Sequence, residues 1–525
     1  MHHAQPTLPT IPHVSGAVFP STGSTGSLAI VAVSSTRFRA PGGKRPWPLL
    51  LAAAALAGCA VGPDFRQPEA PSGAALTRPG FSPATPSAPV EKGEAQQFLE
   101  GMDIPHRWWM LFRSPELNAL VDQSLQSHPS VAAAQAALRQ AHAYVQAQRG
   151  YYLPRVQAGF SPSRQKNAGE TPFTLYTTQL AVSYTPDIFG GNRRQVESLR
   201  ATEEAQRFQL EATYLTLASN VVATAVEQAA LIEQIEASRA IIASATRSLD
   251  ILKKQFALGY AAGTDVALAE SALAQFQQSL PDLQKQLERS RNMLAALTGG
   301  FPNQAPERPF RLSGLALPHE LPVSLPSRLV AQRPDVRSAQ AQLHAASAAI
   351  GVATADMLPQ FSITASGTGA AATFGQMFAA GHPFWGIAAE ISQTLFAGGT
   401  LLYQRRAAEA AFDQAAAQYK ETVIGAFQDV ADTLYALQAD ASALQAAART
   451  EQASTRALTL VQKQLAAGQV DVLALLSSQQ TYQEAVISRA QAQANRLADT
   501  AALFQALGGG WWNRPDAPLV AAKAD

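Results

Sequence analysis

Only one cysteine, Cys59, occurs in 525 residues, which excludes an intramolecular disulfide and a cysteine-built metal cluster. Charge is also scarce. Asp, Glu, Lys and Arg make up 15% of the chain, against roughly 25% in an average soluble protein. The net charge is +1, so no global field attracts nucleic acid or an acidic partner. Beyond residue 59 no stretch gives about 20 consecutive apolar residues, which argues against a transmembrane helix. Aromatics are 7% and hydrophobic residues 47%, many of the latter alanine. Such a chain builds long, closely packed helices more readily than one thick core. Signatures of chemistry are missing too. None of the nine histidines (His2, His3, His13, His106, His128, His142, His319, His344 and His382) lies in an H-E-x-x-H or similar metal pattern, and no G-x-x-x-x-G-K-[ST] loop is present. The pairs Gly190-Gly191 and Gly398-Gly399 lack the G-x-G-x-x-G spacing of a dinucleotide site and read as strand-to-helix turns. No catalytic residue, metal ligand or bound cofactor is expected, and the chain reads as a non-enzyme.

What is present begins around the cysteine. Arg37, Arg39, Lys44 and Arg45 precede an apolar run from Leu49 to Leu56, followed by Leu56-Ala57-Gly58-Cys59. A basic region, an apolar stretch and a small-residue cleavage site make a signal peptide. The last four residues look like a bacterial lipobox, which implies that Cys59 becomes the mature N-terminus and carries N-palmitoyl and S-diacylglycerol lipid. Residues 1–36 are long for a signal peptide and show no helix or strand pattern, so Val31 or Val33 is a candidate start. The resulting division is 1–58 signal peptide, 59–113 lipidated extended segment, 114–300 first repeat, 301–324 linker, 325–512 second repeat and 513–525 tail.

The repeat is visible directly. Leu120 to Leu138 reads LVDQSLQSHPSVAAAQAAL and Leu325 to Leu343 reads LPSRLVAQRPDVRSAQAQL. Pro129 and Pro334, Ala134 and Ala339, and Leu138 and Leu343 are each 205 apart, as are Pro154 and Pro359. The offset drifts to 207 at Phe189 and Phe396 and to 209 at Gly259 and Gly468. An offset that keeps proline and glycine in step over half the chain indicates duplication.

Each half is expected to run helix, two strands, long helix, return helix. The first helices cover about 115–150 and 326–356, stopped by Pro154 and Pro359. In the strands, Leu180, Val182 and Tyr184 alternate with Gln179, Ala181 and Ser183, and Phe361, Ile363 and Ala365 alternate with Ser362, Thr364 and Ser366. Trp385, Ile387, Ala389 and Ile391 form a face opposite Glu390, Ser392 and Thr394. Period-two alternation gives one apolar and one polar face. Asn192 to Leu258 then holds neither proline nor glycine, and Thr400 to Ala467 is interrupted only by Gly425. Helices of that length span roughly 100 Å at about 1.5 Å per residue. Ile241, Ala245, Leu249, Leu252 and Phe256 have coiled-coil spacing. Alternating segments of this kind are the signature of a membrane barrel. Four strands cannot close one, so the strands must be completed by other copies, and three copies would give twelve. A small soluble sheet is the bland alternative.

Taken together, these features resemble the TolC-like outer-membrane efflux proteins, in particular the lipoprotein branch that serves proton-driven multidrug pumps. The matching motifs are Val61-Gly62-Pro63-Asp64-Phe65, Trp108-Trp109 with Phe112 before Pro115-Glu116-Leu117, Arg333-Pro334-Asp335-Val336, and Leu507-Gly508-Gly509-Gly510-Trp511. The resemblance spans Cys59 to about Trp512. It implies a homotrimer with a twelve-stranded barrel in outer-membrane lipid, continued by a periplasmic helical barrel with a mixed belt. It also implies partners in a periplasmic adaptor and an inner-membrane efflux transporter, and passive conduction of small molecules.

The resemblance further implies that the turns Leu258-Gly259-Tyr260 and Ala467-Gly468-Gln469 meet the adaptor, and that acids beyond the second turn gate the tip. Where many relatives carry Leu-Asp-Ala-Gln, this chain has Leu476-Ser477-Ser478-Gln479, so Asp471 is the gate candidate. It reads equally well as the cap of the return helix. Alternative readings are a duct for protein or metal-ion export, a lipid-anchored coiled-coil scaffold and a lipid-anchored enzyme.

Overall fold

The computed structural model of the chain describes residues 60–69, 75–169, 171–304, 310–379 and 383–515. Cys59 and the expected signal peptide lie outside the described residues. The elements run β1 (Gln97–Glu100), α1 (Pro115–Ser127), α2 (Pro129–Arg149), β2 (Arg155–Gln165), β3 (Phe173–Tyr184), α3 (Gly191–Ala257), α4 (Gly263–Leu297), β4 (Glu320–Val323), α5 (Pro326–Gln332), α6 (Pro334–Ala355), β5 (Gln360–Ala371), β6 (Pro383–Ser392), α7 (Thr400–Ala466) and α8 (Val472–Ala506).

The expected single first helix of each half is two helices. His128 and Arg333 take extended backbone because each precedes a proline that opens the next helix. Pro154 and Pro359 do not stop the helices, which end earlier at Arg149 and Ala355. Each instead lies directly before a strand, β2 or β5. The two long helices are both 67 residues, and α7 runs unbroken through Gly425, where an added Cβ would meet open space.

Four strands form one antiparallel sheet in the order β2-β3-β5-β6. Of the four expected strands, the one to which the sequence reading assigned no residues is β2, whose alternation is blurred by Gly159 and Pro162. Within the single chain β2 is an edge strand, a place where proline is tolerated. A second, parallel pair joins β1 to β4, so the segment before the first repeat and the linker between repeats close a small belt together. The core sits at this level. Trp108 stacks on Phe504 with centroids 5.3 Å apart, among Phe112, Leu294, Leu321, Leu434 and Leu497.

Away from the belt the core narrows to thin layers between helices. Leu231 and Ile235 meet Leu287, Ile241 and Ala245 meet Phe276, and Leu249 and Leu252 meet Ala269 and Leu476. The expected coiled-coil seam is therefore buried from Ile241 to Leu252, while Phe256 at its end is 51% exposed. One stretch of α3 is apolar enough to cross a membrane by length and composition, but two-thirds of it is buried against other helices.

Candidate functional site

The sheet register sorts the strand residues onto two faces. Val156, Leu180, Val182, Ile363, Ala365, Trp385, Ile387 and Ile391 share one face; Gln157, Gln179, Ser183, Ser362, Thr364, Ser366, Glu390 and Ser392 share the other. In the isolated chain Trp385 is 80% and Ile387 71% exposed. An apolar face left so open in water is matched to hydrocarbon, and the polar face to a water-filled lumen. Aromatic side chains gather at the end away from the helices, where Phe160 packs edge-on against Phe374 and stacks near Tyr176.

At the helix end of the sheet the residues following Cys59 are clamped. A Cβ on Gly190, which has φ 75°, would lie 2.6 Å from the Ala60 Cβ, so glycine allows the segment to pass. Val61 N–H donates to the Phe189 carbonyl at 3.1 Å. Arg194 donates to the Val61 and Gly62 carbonyls at 3.1 and 3.3 Å and pairs with Asp64 at 2.7 Å and Glu197 at 2.8 Å. Phe65 stacks on His344 at 4.4 Å. The Val61–Phe65 motif is thus a strap across the base of the sheet. Arg194 was not legible as its partner, since nothing in the local sequence singles it out.

Two further motifs also acquire partners. Arg333 donates to Asp335, to Asp429 at 2.9 Å and to the last carbonyl of α8, Ala506, at 3.0 Å. Burial works against its charge, but the two carboxylates outweigh that and raise its pKa above the usual value. Gly508, Gly509 and Gly510 all have positive φ, which lets the chain turn back so that Trp511 Nε1 donates to the Gln332 carbonyl at 2.7 Å.

Both candidate docking turns lie at the far ends of the long helices. Gly259 N–H donates to the Phe256 carbonyl at 3.0 Å and Tyr260 N–H to Gln255 at 2.8 Å. Gly468 and Gln469 repeat this with Leu465 at 3.0 Å and Gln464 at 2.9 Å. This paired pattern with a left-handed residue is a Schellman motif. The φ values of 79° and 71° explain the glycines. Nothing lies within 4 Å of an added Cβ at either. Leu258 and Tyr260 are 71% and 82% exposed, and Ala467, Gly468 and Gln469 are exposed as well. The packing of Val472 and Leu476 against Leu249, Leu252, Val266 and Ala269 brings the two turns to one end.

Asp471 caps α8: its carboxylate accepts from the Ala474 N–H at 3.0 Å. In the first half the equivalent cap position is Ala262, and Asp265 reaches back to the Ala262 N–H at 3.3 Å. The six-residue spacing of Asp265 from Gly259 is explained by this different way of closing the same helix start. Among the described residues no cluster of three metal-ligating side chains occurs.

Residues 120–300 and 325–509 match the profile of outer membrane efflux proteins. The chain belongs to that family. It is 30% identical over 417 residues to the pyoverdine export outer membrane protein OpmQ of Pseudomonas putida KT2440, an alignment covering 77% of this chain and 88% of that one. It is 28% identical over 481 residues to the toluene efflux pump outer membrane protein TtgF of a second Pseudomonas putida strain, covering 89% and 97%. Among solved structures, the outer-membrane channel OprN superposes with a TM-score of 0.76 at 27% identity, covering 86% of this chain and all of that one. The CmeC channel of Campylobacter jejuni gives 0.77 at 22% identity, which speaks to the fold. The protein is an outer-membrane efflux channel, the exit duct of an efflux pump.

Proposed function

We propose that three copies of this chain close a twelve-stranded barrel and a continuous helical duct. Through it, small molecules delivered by an inner-membrane transporter and a periplasmic adaptor leave the cell passively, without catalysis. The observation that carries this reading is the seam between the two repeats. Within one chain, β3 of the first half pairs with β5 of the second, α6 packs along both α3 and α7, and α8 packs along α3. Duplication makes the halves equivalent, yet the mirror-position partners are absent from the single chain. β6 and β2 are left as open edges, and the one long helix that α2 packs along is α3. A second copy can supply each missing partner by repeating the same seam: β6 to β2, α7 to α2 and α7 to α4. A ring of such head-to-tail contacts closes with no free edge, which lipid requires because each unpaired backbone group there costs several kcal/mol.

The register follows. Tyr184 pairs with Ile363. Moving the first forward by 207 and the second back by 205, the spacings of the repeat, pairs Ile391 with Ala158 of the partner subunit. The double variant Ile391→Cys, Ala158→Cys should therefore run as a covalent trimer on non-reducing gels and still pass current in planar bilayers. A covalent dimer only, or a trimer without conductance, would reject the duct.

The strap at the barrel base supports a lipidated Cys59, since Ala60 lies against the strand-to-helix turn where the membrane boundary falls. Acyl chains on Cys59 would start beside the barrel they help to hold. The exposed Leu258 and Tyr260 and the glycine turns support adaptor docking at the tips. Asp471 is a cap by geometry, and a threefold ring of its carboxylates would add a gate that favours cations.

A further inference from the structure

The hairpin end of the sheet, away from the helices, carries a patch that has no part in conduction. There the connection from β5 to β6 folds back over the apolar face as one turn of 3-10 helix, Phe374–Phe378. The strand beneath makes room for it. A Cβ on Gly369 would lie 2.7 Å from the Met377 carbonyl oxygen, and Met377 is 1% exposed. Gly369 stands opposite Thr178, and Thr178 opposite Phe160, so all three share the apolar face with Leu180. On that face Phe374 packs edge-on against Phe160 at 5.7 Å and against Phe378 at 6.0 Å. Phe160, Phe374 and Phe378 stay 52%, 57% and 67% exposed, a shelf of rings open to the outside of the barrel.

Beyond the shelf the same face turns basic. Arg164, near the end of β2 and opposite Thr174, alternates onto it with Phe160, and Lys166 follows just past the strand. Both are exposed, and neither has an ion-pair partner among the described residues. Residues 160–176 and 369–385 hold these two cations against one acid, Glu170, so each chain brings a surplus positive charge to this rim. A cation on the lipid face of a barrel is costly at the bilayer centre and tolerated near the interface, which sets Arg164 at headgroup level. Carrying the pairing of Ile391 with Ala158 of the partner subunit six residues along sets Arg164 opposite Trp385 of the partner subunit. Both lie on the apolar face, where an indole can hold a guanidinium by cation–π attraction.

We propose that this rim is a binding site, one per subunit, for the phosphate-bearing glycolipid of the outer leaflet. Arg164 and Lys166 hold its phosphates, and Phe160, Phe374 and Phe378 hold its acyl tails. The inference rests on the barrel reading, which puts the hairpin end at the outer surface of the membrane.

The order of groups along the barrel matches such a lipid. Phe160 lies four residues nearer the bilayer centre than Arg164 on the same strand, so charge is outermost and rings lie below it, as phosphate lies above acyl tail. The guanidinium offers a phosphate two parallel N–H donors, and the ammonium adds a point charge. Two cations at one level suit a headgroup with more than one phosphate. Basic side chains beside a membrane surface are attracted by anionic headgroups in general, and aromatic rings favour the boundary between headgroup and hydrocarbon. The shelf explains why the β5–β6 connection folds outward onto the sheet: three open phenylalanines are better matched to lipid than to water.

The test is native mass spectrometry of the purified full-length protein, titrated with lipid A carrying its phosphates, with the same lipid A stripped of them, and with phosphatidylglycerol. Wild-type trimers should take up phosphorylated lipid A at a lower concentration than either other lipid. Arg164→Gln combined with Lys166→Gln should raise the lipid A concentration at half occupancy about 25-fold, roughly fivefold for each cation, and leave the stripped lipid unchanged. Arg155→Gln, at the helix end of β2, should alter neither. Phe374→Ser combined with Phe378→Ser should weaken both forms of lipid A by the same factor, and unchanged binding of both removes the shelf from the site. Equal uptake of phosphorylated and stripped lipid A by the wild type overturns the site without recourse to any variant. Unchanged lipid A binding in the double glutamine variant does the same, and phosphatidylglycerol binding as tightly as lipid A overturns the glycolipid as occupant. A trimer without lipid preference sinks the site alone, whereas a chain that forms no trimer in the same spectra sinks the duct and the site with it.

Discussion

Asp471 is where a structural role and a functional one can be pulled apart by two substitutions. Its carboxylate accepts from the Ala474 N–H at 3.0 Å while its own backbone is extended, so it fills one of the four unmet donors at the start of α8. Removing such a cap costs about 1 kcal/mol, within a range of about 0.5 to 2. Asp471→Ala should therefore make the first turn of α8 open roughly five times more often, read as faster amide exchange at Ala474 and Leu475. Asp471→Asn keeps an acceptor and should lose only the charge's interaction with the helix N-terminus, a few tenths of a kcal/mol. Charge is the other matter. Three carboxylates about 7 Å from a cation in water contribute about 0.6 kcal/mol each, together about 2 kcal/mol before salt screening. Asp471→Asn trimers should thus show a several-fold weaker cation preference, measured as the reversal potential in a salt gradient. Unchanged selectivity in Asp471→Asn removes the ring and leaves the cap. Unchanged exchange in Asp471→Ala removes the cap.

Arg333→Met strips the charge pairs and the bond to the end of α8. Asp335 and Asp429 are 42% and 56% exposed and can rehydrate, so the cost should be about 2 kcal/mol rather than the 3–5 of a fully buried pair; thermal dissociation of the assembly should fall by several degrees, and an unchanged midpoint would mean the motif is not structural. Gly468→Val forces a β-branched residue to φ 71°, with open space around it. It should abolish export while gel-stable trimers persist, and loss of the trimer would make the glycine structural alone. Cys59→Ala should block lipoprotein processing, seen by mass spectrometry, more than it lowers pore formation; an unmodified Cys59 in mature wild-type protein would exclude lipidation.

Local chemistry written along the chain was sufficient for much of this protein. Proline and glycine punctuation at matching offsets revealed the duplication, because Pro129 and Pro334 hold equivalent places in the two halves and a left-handed turn needs Gly259 or Gly468. The absence of both residue types over some 67 positions in the first half, and a counterpart in the second broken only by Gly425, made the long helices legible, and period-two alternation placed three of the four strands. β2 was hidden because Gly159 and Pro162 break its alternation, and its assignment rests on pairing with β3. The pairing of β1 with β4 was equally silent, since segments about 220 residues apart carry no signal of each other. The same holds for every clamp found here. Arg194 looks like an ordinary helix-surface residue in sequence, and only the packing of the 61–65 segment against the helices gives it its partners. Asp471 lies between the two cases: its residue type and its place after a turn allowed a cap, and the 3.0 Å bond to Ala474 made it one. Turn and helix preferences act between near neighbours and are written in order, whereas burial and ion pairing are decided by which distant segments the fold lays side by side.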